Sequence, residues 1–175
     1  MPPRAVLIGL PGAGKSTVGA RLARRMSLPF ADSDQLVVAA AGRSVAAIFA
    51  TDGEPAFRAI EAGVVLAALA GFDGILALGG GAVTTAQIRQ ALVAGPAPVV
   101  LLQADQAELL RRIGTGRSRP LLADDPAGRL AELTAARSAL YQQLASVQVQ
   151  TAGHSATAVA RLVYQQLRNS QRSVS

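Results

Sequence analysis

The chain has 175 residues, enough for one compact domain, and half of them are hydrophobic, yet no apolar run approaches the roughly 20 residues of a membrane span. Its net charge of +6 favours anionic ligands, but only 3% of the residues are aromatic, which argues against nucleic acid because few rings can stack on bases. The absence of cysteine excludes disulfides and thiolate metal sites.

Apolar, strand-like runs alternate with helical patterns along the chain. Strands are predicted at Ala5–Ile8, Pro29–Ala31, Ile75–Leu78, Pro98–Leu102 and Val147–Val149. Helical patterns begin at Lys15, Gln35, Val45, Pro55, Thr85, Asp105, Pro126 and Ser155. This alternation predicts an α/β fold with three layers, α/β/α, around a central parallel sheet of about five strands.

Two segments interrupt the alternation. Residues 32–61 divide into three helical pieces, with glycine stops at Gly42 and Gly53, and are large enough to hold an acceptor substrate. Residues 114–125 are rich in glycine and arginine, which predicts a lid over phosphates, with a solvated loop as the alternative. We therefore predict a single domain over 1–175, with its core at about 1–31, 62–111 and 126–170.

The only lysine of the chain, Lys15, stands in a glycine-rich loop between the first strand and the first helix. Residues Gly9 to Ser16 match the pattern G-x-x-x-x-G-K-[ST]. In such a P-loop the backbone N–H groups surround phosphates, the lysine reaches the β- and γ-phosphates, and the hydroxyl binds Mg²⁺. The other sixteen basic residues are arginine, so a lysine here indicates a need for a compact ammonium. The loop predicts nucleoside triphosphate binding.

Two carboxylates follow the second predicted strand, where parallel sheets bind ligands. In an extended chain, Asp32 and Asp34 would point the same way, one toward Mg²⁺ and the other toward an acceptor. The alternative is that they cap a helix beginning at Gln35.

An arginine and three glycines complete the pattern. Arg58 and Glu61 share one helical face, either as a surface pair or with Glu61 orienting Arg58 toward a substrate carboxylate. Gly79, Gly80 and Gly81 follow the third strand, and they allow either close approach of the backbone to a ligand or a tight turn.

In combination, these motifs resemble the shikimate kinase family from Ala5 to about Tyr141. The blocks that carry the resemblance are GLPGAGKST, DSD, GRSVAAIF, TDGE, FR-x-x-E, GGGAV, RPLL from Arg119 to Leu122, and Arg137 before Leu140-Tyr141. The resemblance implies transfer of the ATP γ-phosphoryl group to the 3-hydroxyl of shikimate, with Mg²⁺ as cofactor, on the route to aromatic amino acids.

The resemblance also implies roles for individual residues. Catalysis would involve Lys15, Asp34 and Arg119. ATP would be bound by Gly12, Ala13, Gly14, Lys15, Ser16, Thr17, Arg112 and Arg119, and Mg²⁺ by Ser16 and Asp32. Shikimate would be bound by Asp34, Arg58, Gly79, Gly80, Gly81 and Arg137. The partners would be ATP and shikimate, with no nucleic acid and no membrane, and the protein would be a monomer. A cytoplasmic location is expected because the N-terminus lacks a signal-peptide layout.

One segment departs from the family. Near the last strand the family commonly has an arginine and a proline on the adenine side, where this chain has His154 and Ala156. Two other functions remain open: a gluconate-type carbohydrate kinase, and a non-catalytic ATP-binding regulatory module. The spacing of the motifs disfavours the first, and the presence of Asp34, Arg58, Arg119 and Arg137 disfavours the second.

Overall fold

A computed structural model describes residues 1–113 and 125–172 of the chain. The predicted lid therefore lies outside the described residues except for Asp125, and so does Arg119.

A five-stranded parallel sheet forms the centre of the molecule. Its strands are β1 (Ala5–Ile8), β2 (Phe30–Asp32), β3 (Ile75–Ala77), β4 (Val99–Gln103) and β5 (Val147–Gln150), and they lie in the order β2-β3-β1-β4-β5. Every pair of neighbours is parallel. The predicted sheet is thus confirmed, and each strand boundary falls within one residue of the prediction.

Seven helices and one 3₁₀ turn are present in the described residues. The helices are α1 (Lys15–Met26), α2 (Ser33–Ala41), α3 (Val45–Gly71), α4 (Ala86–Ala94), α5 (Gln106–Ile113), α6 (Pro126–Leu144) and α7 (Ala156–Arg172), and the turn spans Ala82–Thr84. No single helix of the described chain is both long and apolar enough to cross a membrane; only α2 and α3 taken together, with an 89° bend between them, meet both conditions.

The sheet separates two hydrophobic cores, as expected for three layers. Alternate residues of β1 point to opposite faces, so Leu7 packs with α1 and α7 while Val6 packs with α3 and α4. The loop after β1 therefore leads to one face of the sheet and the loop after β3 to the other. Their divergence opens a crevice at the carboxyl ends of the strands, where α/β proteins bind ligands.

The region predicted as three helical pieces forms two helices, of which the second is broken. Gly42 ends α2 with a φ of 65°, and Ser44 caps α3 by accepting a hydrogen bond from the Ala47 N–H at 3.1 Å. Gly53 interrupts α3 with a φ of 80° and a ψ of 175°, just before Pro55. The two helices frame one side of the crevice.

Candidate active site

A cavity of about 420 Å³ opens at the carboxyl ends of the strands, next to the P-loop. Many of the predicted site residues line it although they are far apart in sequence: Lys15, Ser16, Asp32, Asp34, Arg58, Gly79, Gly80, Gly81 and Arg137. The remaining described candidates lie on the other side of the P-loop, where Ala13, Gly14, Thr17 and Arg112 line a second depression and Gly12 packs against Ile113.

The P-loop backbone wraps around the side chain of Lys15. Gly12 and Gly14 have φ angles of 83° and 90°, a region that side-chain-bearing residues rarely adopt. The Lys15 ammonium donates hydrogen bonds to the carbonyls of Gly9 at 2.8 Å and Leu10 at 3.1 Å. Gly14 stands at the N-terminus of α1, where unpaired backbone N–H groups and the helix dipole attract anions. This geometry suits a phosphate group.

Asp32 links the P-loop helix to the acceptor side of the cavity. Its carboxylate accepts a hydrogen bond from the Ser16 hydroxyl at 2.5 Å and another from the Asp34 N–H at 3.0 Å. A hydroxyl and a carboxylate oxygen in contact are hard ligands of the kind that Mg²⁺ prefers. The residues present therefore fit a Mg²⁺ ion bound together with nucleotide phosphates.

Asp32 and Asp34 both line the cavity, but the prediction that they do so from an extended segment was wrong. They do not lie in an extended segment, because α2 begins at Ser33, two residues earlier than predicted. Asp32 is the N-cap of α2 and Asp34 lies in its first turn. The predicted cap is therefore present, but only Asp32 provides it.

Arg58 is held by two carboxylates from its own helix. One of its terminal nitrogens donates to Glu61 at 2.6 Å, and the other side of the guanidinium donates to Glu54 at 3.0 and 3.2 Å. Glu61 is fully buried, whereas the Arg58 side chain retains 16% exposure toward the cavity. Burial excludes the simple surface pair, so Glu61 fixes the orientation of Arg58.

Burial also changes the ionisation of Glu61. Loss of solvation raises the pKa of this carboxyl, and Arg58 opposes the rise. The nearby Asp34 raises the pKa further, while Arg137 lowers it. One carboxylate oxygen of Glu61, Oε1, has no hydrogen-bond partner among the described residues. Two arginines thus approach one buried carboxylate at the wall of the cavity.

A Cβ on two of the three glycines would collide with these charged side chains, and a Cβ on Gly80 would crowd Pro11. A Cβ on Gly79 would stand 2.9 Å from carboxylate oxygens of both Asp34 and Glu61, and a Cβ on Gly81 would overlap the Arg58 guanidinium. The backbone therefore approaches charged side chains of the protein directly. Gly81 itself has a φ of −94°, so space rather than backbone conformation demands glycine there.

Two side chains that contact this glycine segment were not predicted as site residues. The Ser33 hydroxyl accepts a hydrogen bond from the Gly79 N–H at 2.7 Å, and the Tyr141 hydroxyl donates one to the Gly80 carbonyl at 2.5 Å. Ser33 stands between the two aspartates, and Tyr141 follows Arg137 by one helical turn. That spacing was the only sequence signal for either residue.

The second depression has a volume of about 460 Å³ and lies behind the P-loop. Arg112 spans it, donating to Glu108 at 2.7 Å and to the hydroxyl and carbonyl of Thr151 at 3.0 and 3.1 Å. Hydrogen bonds from Arg111 and then from Arg112 lower the pKa of Glu108 to about 2. His154, the residue that departs from the family pattern, is exposed on the rim of this depression.

Comparisons of the sequence and of the structure with known proteins point to the same family. The family model for shikimate kinase matches residues 11–168. A shikimate kinase from Mycobacterium avium is 49% identical over 168 residues, which are 95% of this chain and 94% of that protein. The structure of a shikimate kinase from Acinetobacter baumannii in complex with shikimate superposes with a TM-score of 0.92 at 32% identity, covering 97% of this chain and 94% of that one.

A more distant structural likeness bears on the fold alone. A gluconokinase from Sinorhizobium meliloti superposes with a TM-score of 0.71 at 17% identity, over 99% of this chain and 95% of that one. It shares the three-layer architecture. By the match of the family model over most of its length and by the identity to full-length relatives, the chain belongs to the shikimate kinase family of ATP-dependent kinases.

Proposed function

We propose that this protein transfers the γ-phosphoryl group of ATP to the 3-hydroxyl of shikimate, giving shikimate 3-phosphate for the synthesis of aromatic amino acids. One observation carries the proposal. A single cavity holds the P-loop Lys15 and Ser16 at one end, and the half-buried Arg58 and the buried Arg137 at the other. Phosphoryl donor and carboxylate-bearing acceptor would therefore meet within one enclosed space.

The acceptor end suits a small cyclic acid. Arg58 and Arg137 would bind the substrate carboxylate, because a guanidinium offers two parallel donors to two carboxylate oxygens. Glu54 and Glu61 hold the Arg58 fork in place before the substrate arrives, which reduces the entropy lost on binding. The backbone of Gly79, Gly80 and Gly81 would lie against the ring, since no side chain fills the space.

Asp34 would bind the acceptor hydroxyls and orient the one that attacks. Phosphoryl transfer depends on alignment and charge neutralisation more than on strong base catalysis. The attacking hydroxyl would lose its proton to Asp34 late in the reaction, as the bond to phosphorus forms. Asp34 lines the cavity between the Ser16–Asp32 pair and the Arg58–Glu61 pair, which is consistent with this role.

The donor end would bind the polyphosphate. The backbone of Gly12 to Thr17 would surround the phosphates, Lys15 would neutralise the migrating group, and Arg112 would lie along the nucleotide behind the P-loop. Ser16 and Asp32 would hold Mg²⁺, which neutralises phosphate charge when bound. Arg119, outside the described residues, would add positive charge from the lid.

We also propose that the protein acts as a cytoplasmic monomer without nucleic-acid partners, as one domain with its substrate-binding region at 32–61 and its lid at 114–125. Size-exclusion chromatography with light scattering would test the oligomeric state, and cell fractionation the location. A retention of DNA or RNA that falls steeply with salt would contradict the proposal on partners.

ADP release with Mg²⁺-ATP tests the proposed activity directly. Four conditions are compared: shikimate, gluconate, a panel of nucleoside monophosphates, and no acceptor. We expect strong stimulation by shikimate alone, with ³¹P NMR showing one phosphate ester on the 3-oxygen. Stimulation by gluconate instead would favour the carbohydrate kinase, and ATP binding without stimulation by any acceptor would favour the regulatory module. Turnover is the better first assay because the chain has no tryptophan for binding fluorescence.

A further inference from the structure

Two hydroxyl groups from distant parts of the chain hold the glycine segment Gly79–Gly81. The Ser33 hydroxyl accepts the Gly79 N–H, and the Tyr141 hydroxyl donates to the Gly80 carbonyl. These partners are separated by 46 and 61 residues in sequence. The segment is thereby connected to α2 on one side and to α6 on the other.

Both hydroxyls are protected from solvent. Ser33 is 0% exposed and Tyr141 is 3% exposed, so water cannot readily replace either hydrogen bond. Burial raises the pKa of Tyr141 to about 12, against the opposing effect of Arg137 and Arg58. The phenol therefore keeps its proton at any pH at which the enzyme would work, and it remains a donor to the Gly80 carbonyl.

The glycine segment cannot hold its own position by packing, because it has no side chains. It nevertheless lies in van der Waals contact with charged groups of the cavity: Gly79 faces Asp34 and Glu61, and Gly81 faces the Arg58 guanidinium. A shift of a few tenths of an ångström would change the space available to these groups and to a ring bound beside them. Something must therefore fix the segment from outside.

The two hydroxyls are attached beside the residues that they would align. Ser33 lies between Asp32 and Asp34, and Tyr141 is one helical turn from Arg137. Each hydrogen bond thus ties one wall of the cavity to the glycine segment, and together they set the distance between the aspartates on α2 and the arginine on α6.

We propose that Ser33 and Tyr141 are positioning residues for the acceptor, which act through the glycine segment without touching the reacting atoms. The inference rests on the proposed function, because it concerns the site at which shikimate would bind. It predicts a loss of acceptor affinity when either hydroxyl is removed, with little change in nucleotide affinity.

The test uses Ser33→Ala and Tyr141→Phe, singly and together, in the full-length protein. Each substitution removes one oxygen and keeps the shape of the side chain. Steady-state kinetics give KM for shikimate and for ATP, calorimetric titration gives the Kd of shikimate without nucleotide, and circular dichroism gives Tm. Matched controls are Tyr164→Phe on α7, whose ring is contacted by Arg25 and Arg168, and Ser146→Ala, whose hydroxyl bonds the Val99 backbone.

We expect KM and Kd for shikimate to rise about three- to tenfold in each single variant, the range expected when one buried hydrogen bond is lost. KM for ATP should change less than about twofold, as should both constants in the two controls. In the double variant the rise should be smaller than the product of the single effects, because either loss already releases the segment.

Three results would overturn the inference. If the wild type is active and KM and Kd for shikimate are unchanged in both single variants, the inference is overturned and the proposed function stands. A fall in kcat and Tm together with a rise in both KM values would mean that the hydroxyls contribute to general stability. Failure of the wild type itself to respond to shikimate would overturn the proposed function and the inference with it. If Tyr141→Phe does not fold, Ser33→Ala decides by the same criteria.

Discussion

The phosphate loop and the acceptor pocket lie next to each other but are built in different ways. In the loop, Lys15 contacts the carbonyls of Gly9 and Leu10, six and five residues away, and one contiguous segment provides the whole arrangement. In the pocket, the residues that contact the glycine segment come from the P-loop, α2, α3 and α6. The phosphate site is therefore a property of local backbone geometry, whereas the acceptor site is a property of packing.

Two ion pairs with similar spacing show the same contrast. Glu61 accepts from Arg58, three residues before it, and Glu108 accepts from Arg111, three residues after it. The pKa of Glu61 is raised because the carboxyl is fully buried, but the pKa of Glu108 falls to about 2 because hydrogen bonds from Arg111 and Arg112 outweigh the smaller loss of solvation. The direction of each pKa shift therefore depends on how deeply the carboxyl is buried, and the spacing of the pair in sequence does not predict that.

The largest effect is expected from Lys15→Arg, which tests whether local geometry alone defines the phosphate site. The charge is kept, but a planar guanidinium is broader than the ammonium that the loop encloses. We expect kcat to fall by about a hundredfold or more in the ADP-release assay. Arg24→Lys, at an exposed position on the same helix, is the control and should leave kcat unchanged. Near-normal turnover of Lys15→Arg would contradict the argument from the single lysine.

A second large effect is expected from Arg58→Gln, which removes a guanidinium from the acceptor pocket. Loss of one charge-assisted contact costs about 1.5–3 kcal/mol, so KM for shikimate should rise about ten- to a hundredfold while KM for ATP changes little. Arg4→Gln removes an exposed ion pair with Asp73 and serves as the control. An equal rise in both KM values would argue against a role confined to the acceptor.

Gly81→Ala should have an intermediate effect. It tests whether the acceptor pocket depends on the space beside Arg58. The φ of −94° at Gly81 suits alanine, but the added Cβ would displace the Arg58 guanidinium. We expect KM for shikimate to rise about tenfold or more, since small displacements in a site have large effects.

Gly63→Ala on α3 is the matched control, because a Cβ there meets no atom within 4 Å. It should leave the kinetics unchanged and stabilise the helix by about 0.5–1 kcal/mol, read as a higher Tm. Unaltered acceptor kinetics in Gly81→Ala would show that the close approach to Arg58 does not matter for binding.

The smallest effect is expected on stability in acid, through the lowered pKa of Glu108. An unfolded glutamate ionises near 4.5, whereas Glu108 in the native protein remains ionised to about 2. Between these values the unfolded chain binds more protons, so the stabilisation by Glu108 is complete above about pH 4.5 and is lost as the pH falls toward 2.

Glu108→Gln should therefore reduce the dependence of the free energy of unfolding on pH between 4.5 and 2, measured by urea denaturation. Above pH 5 the two proteins should show parallel curves, which is the internal control. An identical pH dependence of both proteins in the acidic range would contradict the lowered pKa.

Much of the fold and some of the site followed from residue patterns. Apolar and β-branched runs located each strand, and the P-loop pattern located the phosphate site with its helix start at Lys15. The pairing of Arg58 with Glu61 was also predicted, but their spacing allowed both a surface pair and an oriented one. Only the packing of α3 against the sheet, which buries Glu61, excludes the surface pair.

By itself the sequence determined the parallel α/β architecture, the phosphate loop and the family to which the chain belongs, because these depend on patterns within short contiguous segments. The tertiary structure alone decided that α2 begins at Ser33, that Ser33 and Tyr141 bond the glycine segment, and that Glu61 is buried. The two hydrogen bonds join residues 46 and 61 positions apart, and the burial of Glu61 depends on the packing of α3. Such contacts are fixed by how helices pack on the sheet, and spacing along one chain does not contain that information.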